Sequence, residues 1–308
     1  MTKRSLYIII AILLVMDMAA GFWYLAGHFN SDGHGMELFS GEDQVTDADT
    51  LGGDTQPDRY HTIDLFRYYV STKPAVAGNA LSYYSCVKRF KGRIPTNVNG
   101  SNDLSDLLSE LNHLAFGNRD NAIENSANAF LAKPTFTTNA AVGYKRLSSQ
   151  PEVREGYGYV ESVKIYPAFA SSNFLVMAVD RQLYDGHAKS EQLQFVTYTR
   201  TAHHLMGFNQ MFDQSRHEAL LQAINRRIAY RNREGGHNFR KAQSLCQNLM
   251  IRRNGITFVY APQQLASDAV QVFVPYKDLK PAFTSEMASL VATDSAGHDF
   301  DPITFKHK

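Results

Sequence analysis

The chain has 308 residues, of which 44% are hydrophobic and 20% charged, a balance that excludes a chain too polar to fold. Its formal net charge of +1 hides an asymmetry: two of the 31 basic residues and nine of the 30 acidic ones precede position 59, which leaves 29 basic against 21 acidic. A basic portion of this kind suits anionic envelope polymers or anionic protein surfaces, or is a solvated exterior.

The first element in chain order is the apolar stretch Leu6 to Gly27, LYIIIAILLVMDMAAGFWYLAG, preceded only by MTKRS. A helix of this length reaches about 33 Å, enough to span a hydrocarbon core. Asp17 sits near its middle at a cost of roughly 2.5 to 3.5 kcal/mol, offset by the run Leu6 to Met16 and the aromatic residues Phe22, Trp23 and Tyr24. Lys3 and Arg4 precede the stretch and no Lys or Arg follows until Arg59, so the positive-inside rule puts the short tail in the cytoplasm and the rest outside it. The stretch reads as an uncleaved anchor. The alternative is a signal peptide cut near Ala19-Ala20-Gly21, with the protein then secreted. A lipoprotein is excluded, because the first cysteine is Cys86.

Residues 28–58 are rich in Gly, Asp, Ser and Thr and hold no Lys or Arg, which reads as a flexible acidic linker. Segment 59–155 follows as a helix-containing first part of the folded region. Within it Asp64 to Val70 and Leu81 to Phe90 are strands or short amphipathic helices, a choice that periodicity leaves open. Asp103 then caps a helix with Leu104, Leu107, Leu108, Leu111 and Leu114 on one face and Gly117 at its close. A second helix runs from Asp120 to about Leu131, ahead of Pro134.

From Gly156 the texture changes to strands, YGYVESVKIYPAF, NFLVMAVDRQLY and QLQFVTYTR, separated by turn-forming residues, and this predicts an antiparallel meander. A helix is expected from Ser215 to Arg231, with Ser215 and Glu218 as a capping box and Leu220, Leu221, Ile224 and Ile228 as its buried face. After Gly235-Gly236 come two short strands, Gly255 to Tyr260 and Ala269 to Tyr276, and then a weakly patterned tail, 285–308. The predicted class is α+β: an antiparallel β-meander packed with helices, in a domain at 156–284, preceded by one N-terminal transmembrane helix. Cys86 and Cys246 both lie in the exported part, where they form a disulfide or stay as two free thiols.

ITFVYAPQQLASDAVQVFVPYKDLKPAF, Ile256 to Phe283, resembles the C-terminal ectodomain of the lysozyme-sensing anti-sigma factors of the RsiV type, a domain also appended to some peptidoglycan deacetylases. The matching positions are Phe258, Tyr260, Pro262, Gln264, Leu265 and Ala266, then Val274, Pro275, Tyr276, Leu279, Lys280 and Pro281. Upstream, Tyr184-Asp185-Gly186-His187-Ala188 stands where the family has a Tyr-Thr-Gly-Gly-Ala-His-Gly turn. His187, Lys189 and Ser190 depart from that pattern. The resemblance implies a sensing or binding module with that turn, Tyr184 to His187 with Lys189, as a binding element. With five residues ahead of the apolar stretch, direct sigma-factor binding is not expected, since a specific interface needs roughly 1,000 Å².

The residues themselves point to no complete catalytic constellation. His203-His204, with His187 and His217 nearby, is the most tempting metal candidate, but adjacent histidines on a strand point to opposite faces, so no metal site or cofactor is expected. Glu155, Glu161, Asp180, Asp185 and Glu191 lie on or beside the meander, with Asp185 and Glu191 the best pair for a hydrolase. The basic run Arg226, Arg227, Arg231, Arg233, Arg240, Lys241, Arg252 and Arg253 is either a solvated face or a site for anionic glycans and phosphates. Nucleic acid is disfavoured by compartment. The function expected is a non-catalytic, extracytoplasmic envelope module that binds a cell-wall component or a protein partner. The alternatives are a cell-wall-modifying or hydrolytic accessory enzyme, and a subunit of a membrane complex.

Overall fold

The computed structural model describes residues 41–43, 58–74, 83–136, 143–295 and 297–301. The expected anchor or signal, Leu6 to Gly27, lies outside them, as does most of the acidic linker. Among the described residues no helix is long and apolar enough to cross a membrane. The fold is mixed α+β and dominated by sheet.

Strands β1 (Gly41–Asp43), β2 (Arg59–Pro74) and β3 (Tyr83–Asn97) begin the large sheet, and helices α1 (Ser105–Phe116) and α2 (Ile123–Leu131) follow. The chain then forms β4 (Tyr144–Leu147), β5 (Gly158–Ala170), β6 (Phe174–Tyr184), β7 (Lys189–Thr199) and β8 (His204–Leu205). The sheet order is β1-β2-β3-β5-β6-β7-β8, with β4 paired to β2. Of the two aromatic segments that were open between strand and helix, Asp64 to Val70 is strand, and so is the second from Tyr83 to Phe90. Among the described residues every pairing is antiparallel except one: β3 and β5 run parallel, Ser85 opposite Gly158 through Gly92 opposite Ile165. A parallel pair needs a crossover connection, and the α1-α2 hairpin lies within it. One sheet therefore runs through both segment 59–155 and segment 156–284.

Strand β6 shows why its sequence is apolar without alternation. Successive side chains of a strand point to opposite faces. Leu175, Met177 and Val179 pack with Leu107 and Leu111 of α1. Phe174, Val176 and Ala178 pack on the other side with Leu220, Ile224 and Ile228 of α4 (His217–Gly235). That second face also meets a separate antiparallel sheet, ordered β11-β10-β9, of β9 (Leu249–Arg252), β10 (Gly255–Tyr260) and β11 (Val270–Pro275). Strand β5 carries Pro167 in its interior, where a missing N–H would break the ladder. A register shift at that point leaves Ala168 without a partner on β6, as a bulge, and accommodates it.

Two local expectations are corrected, and one choice the sequence left open is resolved. Ser215 does not cap α4: Asp213 accepts hydrogen bonds from the Ser215 amide and hydroxyl, each 2.8 Å, and starts a single 3-10 turn that runs into the helix. The tail is not wholly patternless, because Ser285–Thr293 is helix α6, capped by the Thr284 hydroxyl accepting from the Met287 amide and anchored by fully buried Met287. Short helices α3 (Phe208–Met211) and α5 (Tyr276–Leu279) complete the helical set, and β12 (His298–Asp299) pairs with the end of β5.

The sequence left Cys86 and Cys246 open between a disulfide and two free thiols. Cys86 and Cys246 are both free. Cys86 is packed with Tyr69 and Tyr159, whereas Cys246 packs against the α4-facing core and donates to the Asn248 and Val259 carbonyls. Burial pushes the Cys86 thiol up to about 11 from an ordinary 9.0, although the Thr135 amide and nearby Lys88 pull the other way. The thiol is therefore protonated and inert at neutral pH.

Four polar groups close one end of the large sheet. Arg200 at the end of β7 pairs with Asp58 at 2.7 Å, and their side chains are only 6% and 10% exposed. Arg200 also donates to the Ser171 carbonyl, Asp58 accepts from the Asn99 amide at 3.1 Å, and the Asn99 side chain donates to the Arg200 carbonyl at 3.1 Å. Desolvation by burial raises the Asp58 carboxyl above its usual range, against the opposing pull of Arg200.

Removing one member of such a pair leaves a buried charge without its partner. Asp58→Ala is expected to destabilise the protein by about 3 to 5 kcal/mol, while Asp58→Leu with Arg200→Met recovers most of the loss; denaturant unfolding of the three variants checks both statements. For Cys86 the folded state holds its proton more tightly than the unfolded chain. Its contribution to stability is therefore full below pH 9 and is lost as pH rises toward about 11, and thiol-labelling should leave Cys86 unmodified at pH 8 until denaturant is added.

Candidate functional site

Helix α4 sets its apolar positions Leu220, Ala223, Ile224 and Ile228 into the core, which places Arg227 and Arg231, one turn apart, on the shoulder of the buried stripe. That shoulder faces the outward side of β10 and β11. Gln271 and Phe273 alternate along β11 with the buried residues Val270, Val272 and Val274, and Thr257 sits opposite Phe273 on β10. The ring of Phe273 lies over Gly255, where any Cβ would approach it to 2.7 Å. Arg252, at the end of β9, reaches in from the far strand and donates to the Thr257 hydroxyl at 3.1 Å.

These residues, with Tyr230, line one cavity of about 490 Å³. Tyr230 and Phe273 are 48% and 41% exposed, and both rings border the cavity. Arg227 is 3.4 Å from Asp278 and Arg252 is 3.4 Å from Asp299. The Arg231 guanidinium donates to the Gln271 carbonyl and lies 4.9 Å from the ring centre of Phe239. Phe239 is itself held by the Asn232 side chain, which accepts from its amide at 3.0 Å and donates to its carbonyl at 2.8 Å. Asn225 grips Ala242 in the same way, at 2.8 and 3.1 Å. The segment after Gly236 is thus pinned along α4 by two asparagines seven residues apart.

The basic run divides accordingly. Arg227 and Arg231 enter the cavity with Arg252. Arg226 and Arg240 are exposed elsewhere, and Arg233 pairs with Glu234 at 3.0 Å while its guanidinium lies 5.8 Å from Tyr230. Phe273, Thr257 and Gln271 escaped sequence reasoning because on β10 and β11 they read as ordinary strand residues.

The turn expected to bind is held in shape by its own polar groups. Asp185 accepts from the His187 amide at 3.0 Å and the Ala188 amide at 2.9 Å, and those bonds hold its carboxyl below the usual range. Tyr184 donates to the Gly186 carbonyl at 2.9 Å, and the same carbonyl accepts from the Gly156 amide at 2.7 Å. Gly186 has φ +92° and sits so close to Gly156 and Gly158 that a Cβ would meet their backbone at 3.2 Å. Lys189 lies beside Glu191 at 3.8 Å on the exposed part of β7, so Asp185 and Glu191 are each engaged with neighbours in this hairpin.

The histidines do not lie on one continuous strand. His203 occupies a turn with φ +55°, and His204 pairs with Glu286 at 3.2 Å. Among the described residues no three His, Cys, Asp or Glu side chains gather as a metal site would require. The residues that carry the family resemblance are chiefly core: Phe258, Val274 and Leu279 are fully buried, and Tyr276 donates to the Arg252 carbonyl at 2.8 Å.

No protein-family model matches the chain, and no curated protein matches it. Solved structures do. A member of the DUF3298 family from Bacteroides fragilis superposes with a TM-score of 0.54 at 13% identity, over 78% of this chain and 98% of that one. A DUF3298 family protein from Pseudomonas aeruginosa gives 0.51 at 11% identity, over 76% and 98%. At such identities the likeness is one of fold.

Because Gly186 is both left-handed and tightly packed, Gly186→Ala should cost about 1 to 3 kcal/mol, read from the denaturation midpoint. The arginine cavity is built on other elements, α4 and β9 to β11.

Proposed function

We propose that this protein is a non-catalytic module of the cell envelope, held outside the cytoplasm by its apolar amino-terminal segment, that binds an anionic cell-wall component through the Arg227, Arg231 and Arg252 cavity. The observation that carries this reading is the lining itself: three guanidinium groups, two exposed rings, an amide and a hydroxyl. These groups hold and orient a ligand; they are strong hydrogen-bond donors and stacking surfaces rather than nucleophiles or proton carriers at neutral pH. The resemblance of Ile256 to Phe283 to RsiV-type sensing ectodomains supports a recognition role.

A basic cavity favours an anionic polymer over a basic protein such as lysozyme, the ligand of the RsiV-type ectodomains that Ile256 to Phe283 resembles, because like charges across an interface repel. Opposed charge also makes the affinity sensitive to salt.

The test is retention of the full chain, in detergent, on peptidoglycan fragments and envelope extract at low and high salt. Retention should fall with salt. Arg227→Ala combined with Arg252→Ala should weaken it at least about tenfold, the loss of one or two charge-assisted hydrogen bonds. Retention indifferent to both salt and the double substitution would reject the cavity as the contact.

A further inference from the structure

We infer that the cavity selects a single carboxylate carried on a saccharide ring, with Arg231 as the group that receives it; this rests on the binding reading above and narrows its ligand. Charge is the first argument. Arg227 and Arg252 each face a carboxylate at the rim, Asp278 and Asp299, so two of the three positive charges are already balanced. Among the described residues Arg231 has no carboxylate within ion-pair reach, and one of its five N–H groups is used on the Gln271 carbonyl. The lining and its rim therefore carry one uncompensated positive charge. A monoanion neutralises it, whereas a polyphosphate must displace Asp278 or Asp299 to find further partners.

Geometry is the second argument. Arginine presents a planar fork that matches the two oxygens of a carboxylate. The plane of Arg231 is set before any ligand arrives, because it rests on Phe239, and Phe239 is fixed by its two hydrogen bonds to Asn232. A pre-set donor loses less freedom on binding than a mobile one.

The remaining lining defines what carries the carboxylate. Tyr230 and Phe273 offer exposed ring faces to the apolar side of a sugar, and the Thr257 hydroxyl and Gln271 amide offer partners to its hydroxyls. The volume of about 490 Å³ falls within the range of small-ligand sites, about 300 to 1,000 Å³. A sugar acid satisfies every part of this lining. An extended polyanion uses the arginines but leaves both rings uncovered.

The decisive measurement is calorimetry of the full chain with three probes: a glucuronate–N-acetylglucosamine disaccharide with one carboxylate, its neutral methyl ester, and inorganic triphosphate. The disaccharide should bind, with the ester at least about tenfold weaker and the triphosphate weaker than the disaccharide. Arg231→Gln should erase the difference between acid and ester, Arg231→Lys should restore it only in part, and Arg226→Gln should leave it intact. The comparison of acid with ester on the unaltered protein stands even if an Arg231 variant folds poorly. Equal binding of acid and ester, or triphosphate binding as tightly as the disaccharide, would overturn the carboxylate assignment and leave the wider binding reading standing. If no probe binds but envelope fragments are still retained, the sugar-acid inference fails alone; if neither binds, both readings fail together.

Discussion

Strand β6 cannot expose either of its faces to water. From Phe174 to Val179 its side chains are apolar without a break and fully buried. Each large side chain so placed contributes roughly 1.5 to 3 kcal/mol relative to exposure, so the strand demands cover on both sides. The α1-α2 hairpin supplies one cover and α4 with the three-stranded sheet supplies the other. The parallel step from β3 to β5 follows from the same demand, because the crossover carries the helical hairpin onto the face that needs it.

The cavity is a by-product of that second cover. Burying Leu220, Ala223, Ile224 and Ile228 leaves no freedom in the rotation of α4, and Arg227 and Arg231 must then stand against the outer face of β11. The guanidinium groups are held apart from one another by Asp278, Asp299 and the Gln271 carbonyl, partners that offset the repulsion of three clustered cations. Ion pairs as exposed as these contribute little to stability, so their value lies in orienting the donors. The Asp58–Arg200 pair is the opposite case: both side chains are buried, and its partners are backbone groups of two turns.

The polar groups of the turn at Tyr184 to Ala188 hold its own shape. Asp185 spends its carboxylate on two amides, and Gly186 is required by its left-handed backbone and by contact with Gly156 and Gly158. The conspicuous polar residues of this hairpin serve the connection between β6 and β7. The quieter residues Thr257, Gln271 and Phe273 line the cavity.

Local order was legible in the sequence. The leucines of α1, the Ile224 and Ile228 stripe of α4 and the strands β5, β6 and β7 each announce themselves through a period of 3.6 residues or through apolar runs, because burial on one face is a property of neighbouring residues. The two free thiols and the parallel pairing of β3 with β5 were not legible, since each depends on which distant segment comes near. The site divides along the same line. Arg227 and Arg231 could be read together from one helix, but Arg252, Thr257 and Phe273 join them only through the register of three strands and the packing of α4 against β11. Periodicity along a chain records which face of an element is buried; it carries no record of what the other face will meet.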